Sequence, residues 1–95
     1  MEIQITFKHV DHSESLKNYA VEKSEKLNRY LHGKLHLVWT FDKEGGDFTA
    51  HVHVTGNHID FFAESRANEA YATVDMVIAK IEKQIKKHKE IISNE

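Results

Sequence analysis

The sequence predicts a two-layer α/β sandwich of the α+β kind. The order is β-α-β-β-β-α, a four-stranded mixed sheet with both helices on one face. Three observations predict it. Apolar residues alternate at period two in four short stretches and recur at helical spacing in two longer ones. The last three strands are joined by short connections, which makes them an antiparallel meander. The first two strands are separated by a helical crossover, which favours parallel pairing with a right-handed connection.

Each element follows from its residues. In EIQITFK, Ile3, Ile5 and Phe7 point one way and Gln4, Thr6 and Lys8 the other, the pattern of a half-buried strand. The period then changes. Leu16, Tyr19, Ala20, Leu27, Tyr30 and Leu31 share one arc of a helical wheel, with Ser13 as N-cap, Glu14 in the first turn and Gly33 as the expected C-terminal stop. Lys23 falls inside that arc, so its stem is expected along the core edge with the ammonium reaching out.

Strand periodicity returns in LHLVWTF, with Leu35, Leu37, Trp39 and Phe41 inward. DKEGGD reads as a turn on Gly45 and Gly46. FTAHVHV places Phe48, Ala50, Val52 and Val54 on one face and Thr49, His51 and His53 on the other. After the tight connection TGNH, IDFFAES is the fourth strand. The last helix starts near Asn68 and carries Ala70, Val74, Val77, Ile78, Ile81, Ile85 and Ile92 at helical spacing. Proline is absent from the chain, so nothing interrupts it. Residues 1–92 form one expected domain, and 93–95 are expected to fray.

Composition narrows the function classes. Charged residues are 29% and hydrophobic residues 40%, a globular balance. There is no cysteine, hence no disulfide framework and no thiolate metal cage. No apolar run approaches a membrane span and MEIQITF lacks the features of a signal peptide, so a cytoplasmic location with no membrane partner is the expectation. A net charge of −2 argues against indiscriminate nucleic-acid binding by the whole chain, but a local basic patch outweighs the sum. Eight histidines will raise the net charge as pH falls through about 6.5.

The charge that stands out is KIEKQIKKHKE, residues 80–90. Lys80, Lys83 and Lys87 recur at i, i+3 and i+7 away from the apolar stripe, with Lys86 and Lys89 flanking them. One reading is a solvated helix end whose lysines complement the dipole. The other is a phosphate-binding ridge, because side chains at this spacing stand about 5–6 Å apart at Cβ and can meet successive backbone phosphates. In the first helix, Lys23 and Lys26 are neighbours beside Tyr30. If the two helices lie side by side, their exposed ridges form one basic surface with a groove between. Asp42, Glu44 and Asp47 gather instead in the strand turn, read as an exposed acidic turn.

Other constellations are weaker. His51 and His53 share a strand face and His36 lies on a neighbouring strand; such imidazoles can chelate zinc or nickel, but no fixed carboxylate partner supports a metal site, and polar residues on an open sheet are the favoured reading. No nucleophile elbow or glycine-rich phosphate loop is present, so neither enzymatic activity nor a cofactor is expected. Tyr71, in the first turns of the last helix, fits either stacking on a base or packing at the sheet edge.

AYATVD followed by KIEKQIKKHK resembles the C-terminal helix of the short ribosome hibernation-promoting factors, relatives of the ribosome-associated translation inhibitors. Tyr71, Ala72, Asp75, Ile78, Lys80, Lys83, Gln84, Lys87, His88 and Lys89 carry the match, and Lys23, Lys26, Leu27 and Tyr30 fit that family's first helix. The resemblance runs from the first strand to about residue 90. It implies a fold like that of double-stranded-RNA-binding domains. It also implies binding to the small ribosomal subunit near the decoding region, where the protein occupies the mRNA and tRNA sites and halts translation under stress. Carried over by position, Lys23, Lys26, Lys80, Lys83, Lys87 and Lys89 are the implied rRNA contacts, and Lys86 joins them from the same ridge.

The sequence departs from the family at Glu69-Ala70, where Asp-Met is usual. It also departs at Ser24, where a large apolar residue is usual and looser helix packing is therefore expected. The chain stops just after the last helix, so it is expected to lack the dimerisation domain of the long factors. It is expected to act as a monomer, in ribosome dimerisation together with a separate modulation factor. Two other readings remain open: a general double-stranded-RNA binder, and a histidine-rich metal-binding or protein-interaction module on the open sheet face.

Overall fold

In a computed structural model the backbone is described for residues 1–93 and side chains for residues 1–88. The chain runs β1 (Glu2–Phe7), α1 (Glu14–Glu25), a 3₁₀ turn (Lys26–Arg29), β2 (His36–Glu44), β3 (Asp47–Gly56), β4 (Ile59–Ala67) and α2 (Ala70–Ser93). The sheet order is β1-β2-β3-β4. β1 pairs with β2 in parallel, Glu2 opposite His36 and Phe7 opposite Phe41. The other two pairings are antiparallel. This is the mixed sheet that the crossover and the two short connections predict.

The core lies between the sheet and the helices. Leu37, Trp39, Phe41, Ala50, Val52, Val54, Phe61 and Ala63 project from the sheet. They meet Leu16, Ala20 and Leu27 on one side and Val74, Val77, Ile78, Ile81 and Ile85 of α2 on the other. Phe7, Phe41 and Trp39 stack in sequence, with centroids 5.5 and 5.7 Å apart, on three inward positions of adjacent strands. Burial of these large side chains is the main stabilising term in a chain without disulfides.

Ser13 caps α1 as expected, its Oγ accepting from Leu16 N at 3.2 Å. The far end differs from expectation. α1 stops at Glu25 and tightens into the 3₁₀ turn, which Tyr30 closes by donating its backbone N–H to Leu27 O at 3.0 Å. Gly33, with φ +88°, lies in the following link rather than at the helix end. The wheel continued past Glu25 because Leu27, Tyr30 and Leu31 also suit the tighter turn; apolar spacing alone does not separate an α-helix from a 3₁₀ ending. The helix expected near Asn68 starts at Ala70, and Glu69 caps it, its carboxylate accepting from Tyr71 N at 3.0 Å and Ala72 N at 3.1 Å. The backbone is helical to Ser93, and the expected fraying of 94–95 lies outside the described residues.

Ser24 also corrects an expectation. Its side chain is fully buried, and helix packing is not loosened there. Its hydroxyl donates to Ala20 O at 2.7 Å and accepts the indole N–H of Trp39 at 2.8 Å. A large apolar residue at this position could not serve that buried donor. Among the described residues no buried side-chain polar atom lacks a partner.

Candidate nucleic-acid interface

The two helices run parallel on the sheet. Ser15 near the start of α1 shares a 2.6 Å hydrogen bond with Tyr71 near the start of α2. One turn on in each helix, Tyr19 donates to Asp75 at 2.7 Å. Parallel packing brings the basic C-terminal parts of both helices to one end of the molecule. Lys26 and Arg29 arrive from the 3₁₀ turn, and Lys83, Lys86 and Lys87 from α2. All five are exposed.

The flanks of α2 differ. Successive residues turn by about 100°, so the side bearing Tyr71 and Asp75 faces α1, and Lys86 lies towards it. Lys80 and Lys87 lie towards the other side, nearer edge strand β4, and Lys83 points outward between the two flanks. The expected ridge therefore holds together on α2 but does not border a groove shared with α1. Its first member is tied down: Lys80 Nζ donates to Glu64 O at 2.5 Å, and Gln84 Nε2 donates to Phe62 O at 2.7 Å. These two side chains occupy carbonyls on the open edge of the sheet, where another strand would otherwise pair. Lys80→Gln is accordingly expected to lower the salt sensitivity of polyanion binding less than Lys83→Gln does, a difference readable from two salt titrations. The side chain of Lys89 lies outside the described residues.

On α1 the cations sit close together. Lys23 Nζ stands over the Tyr19 ring, 5.1 Å from its centroid. Lys26 is held below the ordinary lysine range by contact with Lys23 and then by that neighbour's charge, with Arg29 adding to it. Lys23 is raised, first by its contact with Lys26 and then by the Tyr19 oxygen, with Asp75 adding to it. Tyr19 is itself raised, chiefly because it donates to Asp75. Exposed like charges in contact repel, and a bound phosphate relieves that repulsion. The sequence reading omitted Arg29, although Lys23, Lys26 and Arg29 recur every third residue.

Tyr71 packs against the core and meets the edge of Tyr19 at 5.2 Å, with its hydroxyl on Ser15. The acidic turn is not free: Arg66 binds Glu44 at 3.1 Å and Asp47 at 3.0 Å, and His9 pairs with Asp42 at 2.9 Å. The first contact depended on β4 running to Ala67, two residues beyond the expected strand. Among the described residues no group of three histidine, cysteine or acidic side chains is placed to hold a metal ion. No described helix is long and apolar enough to cross a membrane.

Comparison with known proteins adds the following. Residues 3–93 match the family described as Sigma 54 modulation protein / S30EA ribosomal protein. The ribosome hibernation promoting factor of Escherichia coli K12 is 30% identical over 92 residues, covering 95% of each chain. That of Azotobacter vinelandii is 27% identical, covering 95% of this chain and 84% of the relative. Among solved structures, the N-terminal domain of Thermus thermophilus Protein Y superposes with a TM-score of 0.86 at 21% identity, covering 93% of this chain and 99% of that one. A ribosomal subunit interface protein from Coxiella burnetii does so with a TM-score of 0.82 at 25% identity, covering 95% and 99%.

Proposed function

This chain belongs to the Sigma 54 modulation protein / S30EA ribosomal protein family, and from that premise we propose that it is a cytoplasmic ribosome hibernation factor acting through a single domain, residues 1–92. It binds the rRNA of the small subunit in the mRNA and tRNA channel near the decoding region and inhibits translation under stress. The mechanism is steric and electrostatic, with no bond made or broken. Lys83, Lys86 and Lys87 of α2 and Lys23 and Lys26 beside α1 hold phosphates. Lys80 contributes charge while tied to β4, and Lys89 extends the same ridge. The protein acts as a monomer, and a separate modulation factor joins it where ribosomes dimerise.

The observation that carries this reading is the convergence of the basic ends of two parallel helices, in a chain whose named relatives are hibernation factors. Several lysine–phosphate contacts make affinity fall steeply with salt, by about 10³ or more between roughly 50 and 200 mM for six contacts. The test is sedimentation of the purified protein with ribosomes through sucrose gradients over a salt series. Comigration at low salt that is lost steeply as salt rises supports the reading. Absence from ribosomal fractions at every salt concentration contradicts it.

A further inference from the structure

The helices cover one face of the sheet; the other face is open and differently charged. Its outward positions carry six carboxylates, Glu2, Asp42, Glu44, Asp47, Asp60 and Glu64, against the fixed cations Lys8 and Arg66. Three of the carboxylates face imidazoles: Asp60 meets His53 at 2.6 Å, Asp42 meets His9 at 2.9 Å, and Glu2 meets His36 at 3.5 Å. On this face, partway along edge strand β4, stands Phe62, 49% exposed, the most exposed large apolar side chain in the described part of the chain. His51 and His53 flank its ring at 5.6 and 6.4 Å. Val38 continues the row through its pairing with His53. A cleft of about 550 Å³ opens on the far side of His51, walled by the carboxylates Asp42, Glu44 and Glu64 and by the cations Lys8, Arg66 and Lys80.

A well-exposed phenylalanine on a flat, uncovered sheet is a docking feature in search of an occupant, and the surrounding charge decides which one. Six carboxylates repel a phosphate backbone, so RNA is disfavoured here although aromatic rings on a sheet can stack bases. We propose that the open sheet face around Phe62, at its β4 edge, is a second binding surface that docks a basic polypeptide segment with an apolar residue between lysines or arginines. The apolar residue covers Phe62. The flanking cations reach Glu64 and Asp42 on one side and Asp60 on the other. Because this face lies on the opposite side of the sheet from the helices, it stays available while they hold a polyanion. The proposal stands on this face alone and does not rest on the ribosome reading.

The test is fluorescence anisotropy with two labelled peptides, one alternating leucine with arginine and one alternating glycine with arginine. The wild type is expected to prefer the leucine peptide. Phe62→Ser should weaken that peptide by about tenfold or more and abolish the preference. Glu64→Lys should weaken both peptides. Lys83→Glu with Lys87→Glu, in the helix layer, should leave the preference for the leucine peptide unchanged. Both face substitutions are at exposed positions, and circular dichroism verifies that each variant is folded. Equal affinity of the wild type for the two peptides, or leucine-peptide binding indifferent to Phe62→Ser, overturns the proposal. So does a Phe62→Ser variant that loses single-stranded oligouridine binding while keeping the peptide.

Discussion

Lys83→Glu combined with Lys87→Glu is expected to abolish cosedimentation with ribosomes at moderate salt while leaving the fold intact. Both side chains are exposed on α2, and the apolar stripe Val74, Val77, Ile78, Ile81 and Ile85 that anchors the helix is untouched. The helix itself loses only a few tenths of a kcal/mol, because glutamates near its C-terminal end oppose the dipole. Binding suffers far more. Two attractive phosphate contacts become two repulsive ones, and the slope of log affinity against log salt falls by about two, one for each contact removed. The combined loss at moderate salt is about two orders of magnitude or more. Sucrose gradients of variant and wild type, with thermal unfolding of both as the control for fold, measure it. A double variant that still comigrates at moderate salt removes the α2 ridge from the interface.

Trp39→Ala is expected to have the largest effect on stability, about 3–5 kcal/mol, as for other truncations of large buried aromatic residues. The indole is fully buried and stacks on Phe41, so truncation leaves a cavity between sheet and helices. Ser24→Ala should cost about 1–3 kcal/mol, because it leaves the indole N–H buried without an acceptor. The two sites are coupled. Adding Ser24→Ala to Trp39→Phe should cost much less than adding it to the wild type, since phenylalanine has no N–H to strand. Denaturant titration of the four proteins gives the cycle. A Ser24→Ala variant within about 0.5 kcal/mol of wild type would show that the hydroxyl does not matter to Trp39.

The strands and α2 were legible in the sequence because one face of each is buried, and burial imposes the period that the residues then display. The parallel pairing of β1 with β2 was legible because a helical crossover leaves few alternatives. What stayed hidden depends on single side chains meeting across the fold. Ser24 read as a weak core residue because its partner, Trp39, lies fifteen positions away on another element. Lys80 read as one more exposed lysine because the carbonyl it binds, Glu64 O, becomes an open edge only once β4 is placed last in the sheet. The single groove expected between two basic ridges was an error of helix rotation. Charges at i, i+3 and i+7 fix a flank of α2, but only the contacts of Tyr71 and Asp75 with α1 show which flank faces the neighbouring helix. Charge spacing picked out the lysine positions and the family resemblance gave them a role, and the parallel helices explain why those on α2 and those beside α1 come to the same end.

Imaging the protein bound to ribosomes by electron microscopy is the most direct test. The account predicts density in the mRNA and tRNA channel of the small subunit, with the end of the molecule bearing Lys26, Lys83, Lys86 and Lys87 against rRNA phosphates and the face bearing Phe62 turned away from RNA. Density confined to the large subunit, or a complex that presses the Phe62 face onto rRNA and leaves those lysines in solvent, would contradict it.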